Sequence, residues 1–91
     1  MPDGVRDNPE RHRFELEVDG HLAAAYYKLE DGVITFTHTE VPNEMAGRGI
    51  GSQLVRGALE AVRARGLKVV AKCPFVSAYI AKHAEFGDLL N

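Results

Sequence analysis

From Phe14 onward apolar and polar side chains alternate: Phe14, Leu16 and Val18 are separated by Glu15, Glu17 and Asp19. A period of two marks a strand with one buried face, and Asp19-Gly20 closes it with a hairpin turn. A second strand spans Leu22 to Glu30, with Ala23, Ala25, Tyr27 and Leu29 on one face. Its consecutive alanines would also suit a helix, but turn signals on both sides favour a strand. Asp31-Gly32 supplies the next hairpin, and a third strand runs from Val33 to Val41. Strict alternation puts Ile34, Phe36, His38 and Glu40 on one side of it, with Val33, Thr35, Thr37 and Thr39 on the other. Pro42 lacks an N–H and ends the pairing.

The period then changes. Ile50, Leu54, Val55, Ala58, Leu59 and Val62 recur at three and four, the apolar stripe of a helix that must lie on the sheet. Gly66 caps it. Leu67 to Cys73 reads as a fourth strand, with Leu67, Val69, Ala71 and Cys73 on one face. Pro74 suits the first turn of a second helix, in which Val76, Tyr79, Ile80 and His83 form a stripe. The order is β-β-β-α-β-α, an α+β fold. Three antiparallel strands form a meander, and a right-handed crossover brings the fourth strand in parallel, with the helices packed on the sheet. Residues 1–12 lack periodicity and read as a flexible lead-in; residues 13–91 read as one domain.

Composition narrows the function. The chain has 91 residues, 45% hydrophobic and 26% charged, which is ordinary for one small globular domain. A net charge of −2 provides no electrostatic footprint for nucleic acid. No apolar run is long enough to span a bilayer and no apolar signal core is visible, so no membrane partner is expected. The single cysteine excludes an internal disulfide and fits a reducing compartment, giving a cytoplasmic expectation. The four histidines show no metal-ligand spacing, and no metal is expected.

The most informative segment is Val41-Pro42-Asn43-Glu44-Met45-Ala46-Gly47-Arg48-Gly49-Ile50-Gly51-Ser52, between a strand and a helix. Alternating glycines bare the backbone N–H groups there. The unpaired amides and dipole of a helix start make such a place an anion site, most often for phosphate. The Gly-x-Gly-x-Gly spacing matches neither a P-loop, which needs a lysine, nor a dinucleotide fingerprint after the first strand of a parallel unit. The same glycines would also suit tight strand–helix packing alone.

Met45-Ala46-Gly47-Arg48-Gly49-Ile50-Gly51-Ser52-Gln53-Leu54 resembles the acetyl-CoA-binding motif of the GNAT acetyltransferase superfamily, Gln/Arg-x-x-Gly-x-Gly/Ala. His38-Thr39-Glu40-Val41-Pro42, Lys72-Cys73-Pro74-Phe75-Val76 and the ending Ala78 to Phe86 resemble the minimal GNAT-like family of about this length. The likeness covers Phe14 to Leu89. Ala46 departs from the motif's leading Gln/Arg, removing a side-chain contact while leaving the backbone donors, and Ala84 replaces the family's proline after the histidine.

The resemblance implies that the pyrophosphate of CoA rests on the backbone of Gly47, Arg48, Gly49, Ile50 and Gly51, with Ala46 and Ser52 alongside. The pantetheine arm would lie between the third and fourth strands near Glu40 and Val41. Lys82 and His83 would contact the phosphates or adenine. It implies transfer of an acetyl group to an amine. The short chain lacks the helices that shape the acceptor side in larger relatives, which points to an open face suited to an exposed protein lysine. A monomer or weak dimer is expected. Cys73, before a helix N-terminus that stabilises a thiolate, either accepts the acetyl group or lines the pocket. His38 and Glu40 compete for the general-base role, and Tyr79 stands where many GNAT enzymes place the acid that protonates the departing thiolate. A non-catalytic CoA-binding module acting through a partner would explain the glycine turn without Cys73, His38 or Tyr79.

Overall fold

The computed structural model of the chain describes residues 4–45 and 47–91; Ala46, the leading position of the glycine motif, lies outside the described residues. Strands β1 (Arg6–Asn8), β2 (Arg13–Val18), β3 (His21–Glu30), β4 (Val33–Glu40) and β5 (Lys68–Ala71) form one sheet in sequence order. The first four are antiparallel to their neighbours, and β5 runs parallel to β4. Helix α1 (Ile50–Ala64) makes the crossover and α2 (Pro74–Lys82) follows β5. Short 3₁₀ segments occupy Pro9–Arg11, Asn43–Met45 and Ala84–Leu89. The expected α+β meander with a parallel last strand is therefore present, with one additional strand at its edge.

Both hairpin turns are formed as their dipeptides demand. Asp19 and Gly20 have φ of 52° and 79°, and Asp31 and Gly32 have 53° and 77°. Two successive residues at positive φ define the turn whose twist matches a hairpin. They fix the registers Val18 opposite His21 and Glu30 opposite Val33. One sheet face then presents Phe14, Leu16, Ala23, Ala25, Tyr27, Ile34 and Phe36 to Ile50, Leu54, Val55, Ala58, Leu59 and Val62 of α1. Each large side chain so buried contributes about 1.5–3 kcal/mol.

Three expectations are corrected. The described part of the lead-in is not irregular: residues 6–8 pair with β2, and Val5 is fully buried. Its anchors are distant in sequence, which periodicity does not reveal. Val5 packs against Gly57 of α1, while Asp7 accepts from Tyr27 Oη at 2.5 Å and from Arg65 Nη1 at 3.0 Å. Leu29, placed on the buried face of the second strand, is exposed.

The third correction concerns β4. Tyr26 pairs with His38 but Tyr27 pairs with Phe36, so Thr37 is an extra residue in β4. A bulge of one residue flips every side chain beyond it to the other face. His38 does not share the face of Phe36; it lies with Tyr26 on the face away from the core, and its side chain is 61% exposed.

Candidate functional site

The site begins where β4 and β5 part. They pair from Val33 opposite Lys68 to Phe36 opposite Ala71. Beyond that point the amides of Lys72 and Cys73 both donate to the Phe36 carbonyl, at 3.1 and 2.9 Å, and the chain turns into α2. β4 continues past the bulge to Glu40. The result is a fork whose inner β4 edge no longer faces β5. Cys73, the residue before α2, is only 3% exposed, and its thiol lies 3.2 Å from the Thr39 hydroxyl across the fork.

At the mouth of the fork an open cleft of about 490 Å³ is lined by Leu22, Thr39, Glu40, Val41, Pro42 and Asn43. Val41 also lines a second cleft of about 340 Å³, whose other walls are Met45, Gly47, Gly49, Ile50, Gly51, Ser52 and Phe75. Ser52 and Phe75 in turn line a third, of about 220 Å³, with Ala78, Tyr79, Lys82 and His83. The three are linked by shared walls into one path from the fork, over the start of α1, to the flank of α2.

The middle of this path is backbone. Gly47 and Gly49 have φ of 79° and 70°, and a Cβ at either would meet nothing within 4 Å. Open space and left-handed geometry, rather than tight packing, explain these two glycines. Gly49 precedes α1, and the first helical bond is Gln53 N to Gly49 O at 3.0 Å. The amides of Ile50, Gly51 and Ser52 therefore stand outside the helical ladder at the positive end of the dipole. Gly51 differs: a Cβ there would stand 2.6 Å from Phe75 Cζ, so its absence lets the ring lie across the helix start.

Val41, Gly47, Gly49, Ile50, Gly51, Ser52, Tyr79, Lys82 and His83 all line the path, as does Glu40. Cys73 sits behind it through Thr39. The ring of His83 stacks on that of Tyr79 with centroids 4.1 Å apart, which sets the wall of the third cleft. Arg48 is turned toward the β2–β3 hairpin, where it donates to Asp19 Oδ2 at 3.1 Å. His38 is brought to Glu40, Nε2 to Oε2 3.3 Å, and not to Cys73. Sequence reasoning passed over Thr39, because strict alternation directs it away from Cys73. It also gave no role to Phe75, for which no periodic signal exists. No group of three or more potential metal ligands occurs among the described residues.

A mixed sheet forked at its parallel pair, with a glycine-built helix start beside the fork, defines a GNAT-type domain. The family model for the GCN5-related N-acetyl-transferases matches residues 13–89, and the chain belongs to that family. Among curated proteins it is similar to Protein NATD1 of Mus musculus, 27% identical over 85 residues that cover 90% of this chain and 77% of the relative. Protein NATD1 of Homo sapiens is likewise 27% identical, with 75% of its length covered. Among solved structures, the NMR structure of a GCN5-like protein from Staphylococcus aureus superposes with a TM-score of 0.73 at 25% identity, covering 100% of this chain and 91% of the other.

Proposed function

We propose that this protein binds acetyl-CoA along the linked clefts and transfers its acetyl group to a primary amine, an exposed lysine of a protein or peptide. The observation that carries the reading is the start of α1, where three amides stand outside the helical ladder and the left-handed Gly47 and Gly49 border open space. These residues fit a diphosphate: Gly47 and Gly49 carry no side chain over the cleft, Phe75 forms its wall at Gly51, and Ser52 adds a hydroxyl. Arg48, paired with Asp19, leaves the backbone as the principal ligand. The inner edge of β4 near Glu40 and Val41 would hold the pantetheine arm, and Lys82 and His83 the distal phosphates. When bound, acetyl-CoA supplies an acyl group already activated as a thioester.

The chain's own part is to orient and to move protons. A backbone amide of β4 beyond the bulge, where the strand has parted from β5, would hold the carbonyl oxygen as it becomes an oxyanion. Glu40, at the cleft wall and open to solvent, is the group that takes the proton from the attacking amine, with His38 bonded to its carboxylate. The new nitrogen–carbon bond would form as the carbon–sulfur bond broke, the sulfur leaving as a thiolate that takes its proton from solvent; Tyr79, on the wall of the third cleft with Lys82 and His83, would stand beside the cofactor's distal part. Cys73 lines the fork behind Thr39; its burial favours a wall over an acetyl carrier. The open cleft at Glu40 carries the choice of acceptor, since a lysine on a protein surface reaches it without passing a lid.

Calorimetric titration with acetyl-CoA, followed by mass spectrometry of a lysine peptide, tests the reading. Saturable binding and a peptide heavier by one acetyl group are expected. Absence of binding at millimolar ligand would overturn it, and binding without transfer to any amine would leave a CoA-binding module.

A further inference from the structure

The sheet face away from the core carries a charged residue that the reading above does not use. Glu15 is only 5% exposed. A carboxylate so deeply enclosed requires partners, and it has them: Arg13 Nε at 2.6 Å, Asn8 Nδ2 at 3.0 Å and Arg6 Nε at 3.6 Å. The register explains the cluster. Asn8, Arg13, Tyr26 and His38 are successive cross-strand partners, and so are Arg6, Glu15, Ala24 and Glu40. Directly opposed residues of antiparallel strands share a face, so two parallel rows of side chains cross four strands and end at His38 and Glu40.

From Arg13 onward, contact along the first row is continuous. Arg13, fixed by Glu15, donates from Nη1 to Tyr26 Oη at 3.0 Å and lies with its guanidinium 5.6 Å from the Tyr26 ring centroid. Tyr26 stacks on His38, centroids 6.0 Å apart and planes inclined by 23°. His38 then meets Glu40 at 3.3 Å. His38 and Glu40 are both some 60% exposed, and two solvent-exposed side chains left to themselves sample many rotamers. Only through Tyr26 does the row tie them to a buried anchor.

We propose that Tyr26 is a positioning residue, clamped by Arg13 and Glu15, that holds His38 against Glu40 at the cleft mouth; the inference rests on the acetyl-transfer reading for its functional consequence. Ala24, between Glu15 and Glu40 in the second row, keeps the way to Glu40 clear. Tyr26 touches neither cofactor nor acceptor in this account. It acts by keeping the His38 imidazole in one place.

The test is a double-mutant cycle with a spectroscopic arm. Tyr26→Leu lowers the rate of acetyl transfer about 10-fold in the natural background and less than about 2-fold in a His38→Gln background, because the pair acts as a unit. Tyr26→Phe, which keeps the ring and loses the Arg13 bond, falls between. The KM for acetyl-CoA stays unchanged throughout. In NMR spectra the His38 ring protons carry a ring-current shift from Tyr26 that Tyr26→Phe retains and Tyr26→Leu loses, while amide dispersion shows both variants folded. Equal rate losses in both backgrounds, or His38 ring shifts indifferent to Tyr26→Leu, overturn the proposal. Should the natural protein transfer no acetyl group, the catalytic reading fails by itself, and the His38 ring shifts then decide whether Tyr26 positions it.

Discussion

The Thr39 hydroxyl lies 3.2 Å from the Cys73 thiol, joining β4 to the residue that opens α2 across a gap where the two strands no longer pair. The contact is half-buried and spans the fork where the acyl group of the proposed reaction would enter. Thr39→Val keeps the branched shape and removes the hydroxyl. A loss of about 1 kcal/mol in urea unfolding is expected from the missing hydrogen bond. Acetyl transfer falls with it, and mass spectrometry of the natural protein after incubation with acetyl-CoA shows Cys73 unmodified.

Gly49→Ala reads out the backbone cradle. Its φ of 70° is strained for any side chain, although nothing within 4 Å obstructs a methyl group. The left-handed conformation costs roughly 1–2 kcal/mol for a residue bearing a Cβ. The helix start relaxes in response, its amides turn away, and calorimetry shows about 10-fold weaker acetyl-CoA binding.

Two other glycines of α1 separate stability from binding. A Cβ at Gly57 would stand 2.6 Å from Val5 Cβ, and Val5 is fully buried with no route of retreat. Gly57→Ala therefore destabilises the fold by about 1–3 kcal/mol in urea titration. A Cβ at Gly51 would stand 2.6 Å from the tip of the Phe75 ring, which is 41% exposed and free to swing. Gly51→Ala leaves the unfolding midpoint nearly unchanged and alters cofactor affinity, because Phe75 borders two of the three clefts.

Acid stability depends on the enclosed carboxylate. Burial by itself would raise the Glu15 pKa, but the hydrogen bonds from Arg13 and Asn8 and the charges of Arg13 and Arg6 outweigh it and hold the group below its ordinary 4.5. A carboxyl lowered on folding contributes stability that is complete above the unfolded value and lost as pH falls through the folded one. Urea midpoints measured from pH 7 to pH 3 should show Glu15→Gln less stable than the natural protein near neutrality, with the difference closing below about pH 4.5. Asp88, lowered by its bonds to Arg63, retains part of the acid sensitivity in the variant.

Much of this architecture follows from local pattern. Asp-Gly pairs fixed both turns, alternation from Phe14 to Tyr27 named the buried face, and the stripe from Ile50 to Val62 is buried throughout. The glycine start of α1 was equally plain, because the motif is contiguous. Features set by partners distant in the chain were not. β1 is held by Tyr27, Gly57 and Arg65, and a strand of such length has no period to read. The position of His38 failed for a different reason. Alternation is a count, and one inserted residue changes its parity from Thr37 onward, so the side chain expected on the face of Phe36 stacks on Tyr26 while Thr39 takes that face and meets Cys73.

Thr37 thus acts as a frame marker for the chemistry on either side of the sheet. Deleting Thr37 would let β4 pleat without interruption yet leave His38 opposite Tyr26 and Thr39 opposite Ala25, because the extra residue is the one the bulge already absorbs. Were Thr37 instead drawn into the ladder opposite Tyr26, His38 would move opposite Ala25 and Thr39 opposite Ala24, so whether one residue is absorbed or paired decides if the thiol is walled by a hydroxyl or neighboured by an imidazole.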